Sequence, residues 1–130
     1  MTNENGRANA RDEVVRGNES LEAARLLIEH ALLRDGISRA YYAVYHVVRA
    51  LLLVKGLDPR THRGAAQLFN LHYVKDGPLD EKTAGLLAHL ETYRELSDYT
   101  SSASFTEAQA RSELERAIRF LEACRPLLPE

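Results

Sequence analysis

The segment Tyr93-Arg94-Glu95-Leu96-Ser97-Asp98-Tyr99 carries the side chains best placed for chemistry. Arg94 continues the apolar line of Leu87 and Leu90, so its stem points inward, and Asp98 follows one helical turn on, within reach. Arg before Asp is the weaker order for an exposed helical pair. A charged pair on an inward line suits holding a neighbouring helix or meeting a ligand. The plain alternative is an intrahelical salt bridge among packed tyrosines. His62, flanked by Arg60 and Arg63, opens a helix behind Thr61. Free N–H groups and the positive dipole end there suit a phosphate, although loops of this composition are common without any ligand. A further polar line, Arg39, Tyr42, His46 and Arg49, runs along the helix before it. It reads either as a solvated edge, with Tyr and Arg stems covering apolar surface, or as the wall of a polar groove or subunit interface.

Other chemistries find little support. No two His stand one helical turn apart with a carboxylate, so no metal is expected. There is no Gly-rich phosphate loop and no nucleophile elbow, and no cofactor is implied. The single cysteine, Cys124, excludes an intrachain disulfide and a Cys-based zinc cluster. A net charge of -2 gives no overall basic field, so any nucleic-acid contact must be local. No apolar stretch follows a basic start, and a cytoplasmic protein is expected.

These residues need helices to position them. The stretch from Ser38 to Val54 is too long for a strand and contains neither Gly nor Pro. Ala40, Val44, Val47, Leu51 and Val54 form one line at 3.6 residues per turn, and Tyr41, Tyr45, Val48 and Leu52 a second. A helix apolar on most of its circumference belongs mid-domain. Arg39, His46 and Arg49 interrupt it well short of the about 20 apolar residues a membrane span needs. The first helix is expected from about Ala10 to Arg34, kinked or restarted at Gly17, with Gly36 in the left-handed closing position. The second runs from about Ile37 to Lys55 and ends at Gly56. The third, capped by Thr61, runs from His62 to about Lys75 on Ala65, Leu68, Phe69 and His72. The fourth, capped by Asp80, covers about Glu81 to Tyr99. The fifth covers Glu107 to about Cys124, opened by a Thr106/Gln109 capping box with Phe105 stapled to Ala110. A flexible segment at 1–10 and one domain at 11–126 follow, with an all-α up-and-down bundle of four core helices and one additional helix.

The order Ser38-Arg39-Ala40-Tyr41-Tyr42-Ala43, Lys55-Gly56, Thr61-His62-x-Gly64, Tyr73-Val74-Lys75-Asp76-Gly77 and Arg94-Glu95-x-x-Asp98-Tyr99, with Ala117 and Phe120 on the closing helix, resembles the small stand-alone HEPN proteins of prokaryotes. The resemblance covers about Leu21 to Leu121. It implies an α-helical bundle that dimerises, and a link to nucleotides or RNA. Many such proteins pair with a minimal nucleotidyltransferase, often in toxin–antitoxin operons. Others are metal-independent ribonucleases with an Arg-x(4–6)-His motif, in which His is the acid–base group and Arg stabilises charge on the phosphate.

This chain has Arg94, but Tyr99, Thr100 and Ser101 stand where the His belongs. A phenol is a poor general base near neutrality. His62 substitutes only if its helix starts beside Arg94. The leading expectation is therefore a binding module with a site of Arg39, Tyr42, His62, Arg94, Asp98 and Tyr99. It would engage a nucleotide, RNA or a nucleotidyltransferase without catalysis. A divergent ribonuclease acting through Arg94 and a purely structural bundle are the alternatives.

Overall fold

Small and β-branched side chains on nearly every face place α2 (Leu33–Leu53) in the middle of the molecule. It packs on α1 (Asn3–Glu29), α3 (His62–Phe69), α4 (Glu81–Tyr99) and α5 (Glu107–Cys124), forming an up-and-down helical bundle. The structure is a computed structural model that describes residues 3–99 and 104–129. No strand and no helix long and apolar enough to cross a membrane occurs among the described residues. Ala40, Tyr41, Val44, Val47, Val48, Leu51 and Leu52 form one core with Phe69, Leu87, Leu90, Ala117 and Phe120.

The caps stand where side-chain chemistry predicts. Thr61 Oγ1 accepts from the Gly64 N–H at 2.9 Å, and Asp80 Oδ1 from the Thr83 N–H at 3.0 Å. Thr106 and Gln109 exchange both capping-box hydrogen bonds, and Phe105 packs in a cluster with Ala110, Ile28 and Ile37. Of the expected loop from Thr100 to Ser104, residues 100–103 lie outside the described residues. Gly56, at φ 77°, closes the end of α2.

Other boundaries differ, each for a packing reason. α1 begins at Asn3, ahead of the expected Ala10, because Ala10 and Val14 pack against Ala50 and Leu53. Gly17 neither kinks nor restarts it. A Cβ there would stand 3.1 Å from the Ala43 carbonyl oxygen, so the glycine admits close approach of α1 to α2. Nor does Gly36 close α1, since it lies inside α2, where a Cβ would meet Ile28 Cγ1 at 2.5 Å. Ala31 takes the left-handed conformation instead, at φ 62°. The expected third helix gives way at Asn70–Lys75 to a π-helical turn. That turn carries Tyr73, rather than His72, into the core, where its hydroxyl donates to the Leu51 carbonyl.

Candidate functional site

Leu87, Leu90 and Arg94 follow one another on the inner face of α4, and all three are buried. Arg94 is only 6% exposed, and its guanidinium carbon sits 4.9 Å above the Tyr41 ring and 5.6 Å from that of Tyr99. Cation–π attraction therefore replaces part of its lost hydration. Its polar contacts are long: Arg94 Nη1 donates to the Tyr99 hydroxyl at 3.4 Å and stands 3.6 Å from Asp98 Oδ2. Arg94 Nε is buried with no hydrogen-bond partner among the described residues. The last turn of α4 is held in place from α2, because Arg34 Nη1 donates to the Ser97 carbonyl at 2.8 Å.

Beyond the Tyr41 ring lies His62. The Tyr41 hydroxyl and His62 Nδ1 are 2.7 Å apart, joining the first residue of α3 to α2. The imidazole stacks on Tyr45 at 4.1 Å and on Tyr41 at 5.6 Å, and its edge meets Tyr42 at 5.8 Å. The Tyr41 phenol is 2% exposed. Burial pushes its pKa well above the usual tyrosine value, the Glu91 carboxylate adds to this, and Arg94 opposes it. Burial and then the Arg94 charge push His62 below its ordinary value. Glu91 is raised by burial and by Glu95.

The structure thus brings Arg94, Asp98, Tyr99, Tyr42 and His62 into one cluster. Arg39 is exposed on α2 and enters none of these contacts. Tyr99 is 76% exposed, while Thr100 and Ser101 lie outside the described residues. Tyr41 and Tyr45 are the members that sequence reasoning missed. Both stand on an apolar line of α2, where two tyrosines one turn apart carry hydroxyls that need partners.

His46 and Arg49 belong to a different structure. His46 Nδ1 meets Glu13 Oε2 at 2.7 Å, and Arg49 reaches Glu13 at 3.6 Å and Asp58 at 2.8 Å. Arg49 also donates to the Pro59 carbonyl at 3.1 Å. This end of the polar line is half-buried and held by ion pairs. It ties α1 and the α2–α3 connection to α2. Burial raises the Glu13 pKa, but the His46 hydrogen bond and the His46, Arg49 and Arg16 charges outweigh that and hold it below the usual range. No group of three or more His, Cys, Asp or Glu able to hold a metal occurs among the described residues. Burial pushes the Cys124 thiol up to about 12, so it packs without reacting.

Comparison with known proteins agrees with this architecture. A family model for the HEPN domain matches residues 10–127. A Methanocaldococcus jannaschii protein named as a candidate toxin is 37% identical, over 86% of this chain and 83% of its own. A UPF0332 protein of Thermotoga maritima is 31% identical over 88% and 87%. A crystal structure of a Thermus thermophilus protein superposes with a TM-score of 0.79 at 18% identity, covering 92% of this chain and 98% of its own, and shows the shared fold.

Proposed function

The chain belongs to the HEPN family, and from that premise we propose that it is a cytoplasmic, dimeric toxin–antitoxin-type module. In this reading it binds the phosphate of a nucleotide or RNA at Arg94, engages a minimal nucleotidyltransferase, and performs no catalysis of its own. The observation that carries the proposal is the buried guanidinium whose Nε has no partner. An unpaired donor on a buried charge is costly, and a phosphate oxygen is the acceptor that guanidinium geometry fits best. Two relatives named as candidate toxins support the toxin–antitoxin setting.

The test is calorimetric titration of the chain with adenosine 5′-monophosphate and with a short oligoribonucleotide. Arg94→Met is expected to weaken both by about tenfold or more. Unchanged affinity would remove the site. Sedimentation and copurification with a nucleotidyltransferase encoded beside it test the assembly.

One observation favours a second reading. His62 stands one phenol away from Arg94, so an imidazole missing from the positions after Arg94 reaches the site from α3. A divergent ribonuclease would then cleave RNA in the presence of EDTA and lose that cleavage in Arg94→Met.

A further inference from the structure

The hydroxyl proton of Tyr41 bears on which of these readings the imidazole serves. The phenol is buried and held protonated, since burial raises its pKa far above neutrality. A buried O–H needs an acceptor. The acceptor within reach is His62 Nδ1, at 2.7 Å. An Nδ1 that accepts carries no proton, so a neutral imidazole must carry its proton on Nε2. This tautomer is assigned from the buried phenol's need for an acceptor.

We infer that Tyr41 locks His62 as a neutral Nε2–H donor, and that His62 and Arg94 together bind a phosphate oxyanion. In this state the imidazole has no lone pair to offer a substrate hydroxyl. It is a ligand-binding donor and not a general base, and Tyr41 is its positioning residue. Further protonation of the ring is opposed from each element around it. Nδ1 would gain a proton facing the Tyr41 hydroxyl, whose own proton would lose its acceptor. The Arg94 charge on α4 adds repulsion, and the Tyr41, Tyr42 and Tyr45 rings of α2 enclose the imidazole. The second, independent sign of an anion is Arg94, nine-tenths buried, whose Nη1 contacts are long and whose Nε has no hydrogen-bond partner among the described residues.

This inference rests on the phosphate-binding reading, and its test separates the two. Long-range proton–nitrogen correlation on the histidine-labelled full chain near pH 7.5 reports the tautomer without any ligand. The expected result is a protonated Nε2 and a bare Nδ1 for His62. In Tyr41→Phe that preference is lost and the His62 pKa moves up toward its ordinary value, which a merely structural phenol would not cause. Adenosine 5′-monophosphate should bind about tenfold more weakly to His62→Ala. His62→Gln, which keeps an N–H near the Nε2 position, should stay within about threefold of wild type. A proton found on Nδ1 overturns the inference. So does metal-free RNA cleavage that disappears in His62→Gln, because that requires a base. If Arg94→Met leaves phosphate affinity unchanged while the tautomer is as stated, the phosphate reading fails and the Tyr41 lock stands.

Discussion

Two ionised side chains are carried into this bundle on its α4 side, and they are treated differently. Glu113 on α5 is fully buried at 0% exposure, with one oxygen 2.5 Å from Arg116 Nη1 and the other 3.1 Å from His89 Nδ1. Both partners are themselves partly exposed, so their far sides keep water. His89 in turn stacks on Tyr93 at 4.9 Å. Arg94 is nearly as deep, yet it faces aromatic rings and a carboxylate 3.6 Å away, and its Nε has no hydrogen-bond partner among the described residues. A saturated buried charge joins helices, whereas an unsaturated one has capacity left for something outside the chain. The first is an α4–α5 joint, and the second is where we propose the binding site.

The contrast breaks most readily at Glu113. Glu113→Ala removes charged hydrogen bonds and leaves a small void, so urea denaturation should show a loss of about 2–3 kcal/mol. Phosphate affinity should be unchanged. A variant as stable as wild type would mean that the joint does not hold α4 to α5. Arg94→Met should behave in the opposite way. The apolar chain fills similar volume and needs no hydration, which offsets the lost ring contacts, so stability should stay within about 1 kcal/mol of wild type. Binding is what it should lose. A loss of about 3 kcal/mol in the same denaturation would make Arg94 a second structural joint and end the comparison.

What could be read in the sequence was what neighbours along the chain decide. The Thr61, Asp80 and Thr106 caps use side chains reaching a backbone N–H within the same turn. The inward line of Leu87, Leu90 and Arg94 needed only helical period. Features set by distant partners were not legible. Gly36 resembles a helix terminator until Ile28 is seen packed against it, and Gly17 resembles a kink until the Ala43 carbonyl faces it. The π turn at Asn70–Lys75 is favoured by Tyr73 reaching Leu51. His62 comes within one phenol of Arg94 only because the α2–α3 connection, held by Arg49 through Asp58 and Pro59, fixes where α3 starts. Glu113 left a signal that went unused, since it stands alone among Ala110, Ala117, Phe120 and Leu121 on the buried face of α5.

The smallest expected effect concerns acid. His62 in the folded chain titrates below its ordinary value of 6.5, through burial and then Arg94. As pH falls through that ordinary value, the unfolded chain takes up a proton that the folded chain refuses. The unfolded state then binds more protons, and stability declines until the folded pKa is reached. Glu13 has the same sign in a lower window, because its depressed pKa gives up stability only as pH falls below the usual 4.5. Glu91, raised from 4.5 by burial and Glu95, has the opposite sign and gains stability as it protonates. Glu13 therefore acts below the histidine window, while Glu91 works against the decline from above 4.5. Melting temperatures followed downward from pH 7.5 should fall first through the His62 window, and His62→Gln should remove that early decline while keeping the later one. An unaltered early decline in His62→Gln would show that His62 is not the group whose refused proton costs the fold its stability there.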